Sequence, residues 1–87
     1  MRAISFTRAL VSRALASLAR SCESFARRHG CVETWTLERC DAEAIAEGSF
    51  KKMEKIEGIR FQDILTVQFH SRALAGGTLQ TLILIHD

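Results

Sequence analysis

Apolar residues recur at helical spacing from Ala3 to about His29. At about 100° per residue, Ile4, Val11, Leu15, Leu18, Cys22 and Phe25 fall in one stripe, flanked by Leu10 and Ala14. Arg2, Arg13, Arg20 and Arg27 fall together on the opposite side. The pattern predicts one long amphipathic helix over residues 1–29, about 40 Å in length. Gly30 suits the stop, because a left-handed residue past a helix end costs glycine little, and Arg27, Arg28 and His29 complement the negative helix end.

The period changes after Gly30. Residues 31–39 are rich in Val, Thr and Trp, and Trp35 and Leu37 share a parity, which predicts a strand. Asp41 has the chemistry of an N-cap for a short helical segment within 41–57, broken at Gly48, with Ser49 capping a second piece that carries Phe50, Met53 and Ile56 and ends at Gly58. Over 49–57 an edge strand competes with the helix, since Phe50 and Ile56 also share parity; the helix is favoured. The clearest alternation lies in 59–73. Odd positions carry Ile59, Phe61, Asp63, Leu65, Val67 and Phe69, whereas even positions are polar except at Ile64. Asp63 and Ile64 both break this parity, and a bulge or short break near Asp63 restores it. Gly76-Gly77 is the natural turn of a hairpin returning along Thr78 to His86. With that two-residue turn, Phe69 opposes Leu84 and Ser71 opposes Leu82. Leu79, Ile83 and Ile85 then lie on the far face, so the last strand is apolar on both sides and wants cover on both, or is an edge awaiting an added strand.

These elements predict an α+β fold in a single domain over 1–87, in the order α-β-α-β-β. The long N-terminal helix would pack on a small, mostly antiparallel sheet over 31–86. Ile4, Val11, Leu15, Leu18 and Phe25 would face Trp35, Leu65, Val67, Phe69, Leu82 and Leu84. Composition is that of a globular chain, 47% hydrophobic and 25% charged. No apolar run approaches the roughly 18 residues that a membrane-spanning helix needs.

Charge adds an asymmetry that periodicity hides. The net charge of +2 combines six arginines against the single acid Glu23 in residues 1–30 with an excess of acids thereafter. All six early bases are arginine, the residue suited to bidentate pairing with phosphate or carboxylate. Arg13, Arg20, Arg27 and Arg28 are therefore candidate contact residues, weighed against a merely solvated face. His70, Arg72, Ile83 and Ile85, on the far face of the hairpin, form a second candidate surface, because isoleucines on an otherwise polar sheet face suit a protein contact.

Catalytic and metal chemistry find little support in the residue pattern. Cys22, His29, Cys31 and Cys40 lack the close ligand pairs of zinc sites, and Cys22 lies on the apolar stripe. Cys31 and His29 are too close in sequence to face each other easily, and Gly76-Gly77-Thr78 lacks the lysine and following helix of a phosphate loop. No enzyme activity, cofactor or metal is expected. Three cysteines at equal spacing point to a reducing compartment, hence a cytoplasmic setting.

The expected function is a non-catalytic protein-binding module: a small inhibitor of the phage or mobile-element type, an adaptor or an assembly subunit. Its partner is another protein, or a second copy joined through the C-terminal hairpin. The alternative is a nucleic-acid binder using the arginine face. A third possibility is a small subunit of the mitochondrial matrix, because an acid-poor, Arg/Ser/Ala-rich start has the composition of a transit segment.

Overall fold

The chain runs β1 (Arg2–Thr7), α1 (Arg13–His29), β2 (Thr34–Glu38), α2 (Arg39–Ile45), α3 (Ser49–Glu57), a single 3-10 turn (Phe61–Asp63), β3 (Ile64–Arg72) and β4 (Thr78–His86). The structure, a computed structural model, describes residues 1–30, 33–72 and 78–87. The fold is α+β, but it does not begin with a helix. Ile4 and Phe6 are half-buried while Ala3, Ser5 and Thr7 between and beyond them are exposed, which is the period of a strand. The helix starts only where Ser12 caps it. The Ser12 hydroxyl accepts from the Leu15 amide at 3.1 Å, and its carbonyl accepts from Ala16 at 3.0 Å. Val11, expected on the buried stripe, is 95% exposed, and Arg2 belongs to β1 rather than to the helix.

Every neighbouring pair of strands is antiparallel, and the order across the sheet is β1-β4-β3-β2. The chain thus starts at one edge, crosses through α1 to the opposite edge, and returns through α2 and α3 to fill the middle. The final strand is therefore central, hydrogen-bonded on both sides, and not an edge awaiting another strand. The helices cover its Leu82/Leu84 face, while Ile83 and Ile85 on the other face are shielded only by the strands beside them.

Register differs from the expectation based on a Gly76-Gly77 turn, which itself falls outside the described residues. Phe69 pairs with Leu82 and Val67 with Leu84, two residues away from the expected partners. A slip of two preserves the faces, so Val67, Phe69, Leu82 and Leu84 still share the core. Two irregularities then re-sort individual residues. One lies between Ile64 and Thr66, next to the 3-10 turn. It turns Ile64 inward and leaves Leu65, expected in the core, exposed. The other, between His70 and Ser71, leaves Gln80 as the extra residue and moves Leu79 from the far face into the core, where it is 2% exposed.

Helix boundaries shift for similar local reasons. Asp41 is not a cap but lies in the first turn of α2, which begins at Arg39 with Glu38 in the capping position. Gly48 precedes α3, and the hydroxyl of Ser49 bonds Ser17 of α1 at 2.9 Å instead of capping its own helix. Gly58 ends α3 in the left-handed conformation, φ 71°. Phe50 and Met53 are buried whereas Ile56 is largely exposed. Leu15, Leu18, Ala19 and Cys22 of α1, Ala42 of α2, Phe50 and Met53 of α3 and the inward strand residues form one cluster on one side of the sheet. Each fully buried leucine there contributes about 2 kcal/mol of transfer free energy.

Candidate interaction surfaces

All three helices lie over one sheet face, so the other is open. At its centre are Ile83 and Ile85 of β4, opposite Ser5 and Ala3 of β1 on one side and Gln68 and Thr66 of β3 on the other. Thr34 and Thr36 of β2 continue the same face beyond β3. Both isoleucines are only half-buried, by their neighbours in the sheet. His70 lies toward one end, where its Nδ1 and the Thr34 hydroxyl are 3.0 Å apart. Glu38, at the end of β2, is the charged side chain on this face, and Arg72 is exposed at the end of β3. Of the expected contact residues, His70, Ile83 and Ile85 are therefore brought onto one surface, with Arg72 at its rim.

Arg13, Arg20, Arg27 and Arg28 are exposed on α1, whose buried side holds Leu15, Leu18, Cys22 and Ala26. The first three recur every seven residues, so they form a line about 21 Å long directly away from the sheet. The two candidate surfaces are on opposite sides of the molecule. Among the described residues the only ion pair is Arg60 with Asp63, at 3.0 Å, so none of the helix arginines is ion-paired there. That pair raises the Arg60 pKa, through hydrogen bonding first and then the aspartate's charge. It also gives Asp63 a structural role, closing the turn that leads into β3.

Glu23, the lone early acid, was legible only as a break in the arginine pattern. Its Oε1 accepts the Leu79 backbone N–H at 3.0 Å, pinning α1 to the start of β4. Only the tertiary fold reveals this bond, because it joins positions 56 residues apart.

The residues with metal-ligating or thiol chemistry are dispersed. Cys22 is fully buried, and burial, then the neighbouring charge of Glu23, pushes its thiol up to about 12. His29 stacks on Phe25 with ring centroids 4.2 Å apart, at the edge of an aromatic group that includes Trp35 and Phe69. Cys40 is exposed on α2, and Cys31 lies outside the described residues. Among the described residues, no three His, Cys, Asp or Glu side chains converge on a metal position. His86, unlike His70, points to the helix side; its Nδ1 is 3.1 Å from the Asp87 carbonyl, and its Nε2 is enclosed without a partner among the described residues. No helix among the described residues is long and apolar enough to cross a membrane. No family model, curated protein or solved structure matches the chain.

Proposed function

We propose that this chain is a non-catalytic protein-binding module that engages its partner through the open face of the sheet. The supporting observation is the pair Ile83 and Ile85, half-exposed at the centre of a face that is poor in charge and that no helix among the described residues covers. A flat surface of Thr, Ser, Gln and Ile desolvates at low cost, and an apolar centre inside a polar surround is the usual anatomy of a protein contact. A small inhibitor, an adaptor and an assembly subunit all work this way, and a second copy of the chain is one partner the face would accept. Free thiols on α1 and α2 suit a reducing compartment such as the cytoplasm or the mitochondrial matrix.

The test uses the protein as bait in a native lysate, with and without nuclease. The companion baits are the double variant Ile83→Thr/Ile85→Thr, which keeps β-branching, and the triple variant Arg13→Gln/Arg20→Gln/Arg27→Gln. A protein captured by wild type and by the arginine variant, nuclease-resistant and lost with the isoleucine variant, supports the proposal. Light scattering on the same variants identifies a second copy as the partner if a wild-type dimer becomes monomeric. Capture that is indifferent to the isoleucines sinks the open-face contact.

The arginine row of α1 favours a second reading, a nucleic-acid backbone as ligand. Three or four neutralised phosphates give a log–log salt slope of about −3 to −4 on double-stranded DNA. Binding that is absent at low salt, or that survives the triple arginine variant, removes this alternative.

A further inference from the structure

The start of β4, the end of β3 and the end of β1 meet in a cleft of about 440 Å³ whose chemistry differs from that of both surfaces above. It is lined by Thr7, Arg8 and Ala9 after β1, by Arg72 of β3, and by Thr78 and Gln80 of β4. β4 runs between β1 and β3, so Arg8, just past the end of β1, and Arg72 approach from either side of it, β1 and β3 lying two strand spacings, about 10 Å, apart. That gap is within the reach of two arginine side chains. No acid lines the cleft, and neither arginine has an ion-pair partner among the described residues. Gln80 is the extra residue of the β4 irregularity, and such bulges redirect a side chain where regular pairing would not place it.

Two guanidinium groups sharing a cleft repel each other unless an anion lies between them. With Thr7 and Gln80 adding neutral donors, the geometry points to a binding site for a phosphoryl group, free or carried by a small phosphomonoester. The charge favours phosphate over a simple carboxylate, because two guanidiniums match a dianion and fork-shaped donors pair with its oxygens. The site borders the open face at Arg72 but does not use its apolar centre, since neither Ile83 nor Ile85 lines it.

The experiment is an NMR titration of the full chain with inorganic phosphate, O-phosphoserine and acetate. Expected are saturable shifts at Thr7 and Gln80 with a phosphate Kd on the order of 1 mM. Acetate should bind at least about tenfold more weakly, and Arg8→Gln or Arg72→Gln should each weaken phosphate about tenfold or more. Arg72→Lys, which keeps the charge and loses the fork, guards against a folding defect and should give a smaller loss. Phosphoserine binding more tightly than phosphate identifies an ester as the ligand, and equal affinity identifies the free anion. The Ile83→Thr/Ile85→Thr variant should titrate like wild type, so failure here and failure of the partner proposal are separable. Shifts that do not saturate, an equal response to acetate, or a response unchanged in Arg8→Gln and Arg72→Gln overturns the site.

Discussion

At the scale of single residues, Cys22 ties packing to pH. Its ordinary value is 9.0, and burial pushes the folded thiol up to about 12. Above pH 9 the unfolded chain gives up this proton while the folded chain keeps it. The unfolded state then binds fewer protons, and stability falls as pH rises through this window. The loss reaches about 2 kcal/mol near pH 10.5 and about 4 kcal/mol by pH 12, at 1.36 kcal/mol per pH unit. Urea unfolding of wild type and Cys22→Ala at pH 8 and pH 10.5 checks this. The variant should start less stable, from lost packing, and close the gap at the higher pH. A gap that is constant across the two pH values would show that the Cys22 thiol does not titrate differently on folding. The burial of Cys22 was legible in sequence because it lies on the helical stripe with Leu15 and Leu18. Ser12, three residues before Leu15, is of a capping type, but the periodic stripe running through it hides the helix start.

At the scale of elements, the first strand is hidden in the sequence because a helical stripe can be threaded through Ile4 and Val11 by passing over Phe6. Six residues of alternation compete poorly with a period fitted over 27, and only the pairing of Ile4 with Leu84 decides between them. By contrast, the break near Asp63 was legible, since two adjacent residues of wrong parity demand a local change of twist. The fate of Leu79 was not, because the second irregularity, at Gln80, leaves no mark in the alternation of the sequence. Glu23 holds this misplaced start of β4 against α1. Glu23→Ala leaves the Leu79 amide without its acceptor and should cost about 1–3 kcal/mol. Amide exchange at Leu79 should accelerate by more than at Phe69, buried in the middle of β3. Equal acceleration at both positions would mean that the bond contributes only to global stability.

At the scale of the whole molecule, the arrangement β1-β4-β3-β2 makes the sheet depend on its last-formed neighbour relation. A variant ending at residue 77 lacks one of the two inner strands, loses Leu79, Leu82 and Leu84 from the core, and should show no cooperative unfolding transition. Far-ultraviolet circular dichroism during urea titration reads this directly; a retained sigmoidal transition would show that the helices and β3 form a core without β4. The two-layer class was legible from element types alone. The position of the last strand was not, since apolar residues on both faces do not say whether a strand lies at the edge or inside the sheet.

The pairing of Arg2 with His86 also has a consequence in time. During synthesis at about 5–20 residues per second, the strand made first waits on the order of 4–16 s for the strand that completes it. Throughout that interval Ala3–Thr7 is an uncommitted β-forming segment, open to the same segment on a neighbouring nascent chain. Arg2 and Arg8 bracket it with positive charge on both sides, the arrangement by which flanking charges restrain aggregation of an apolar strand.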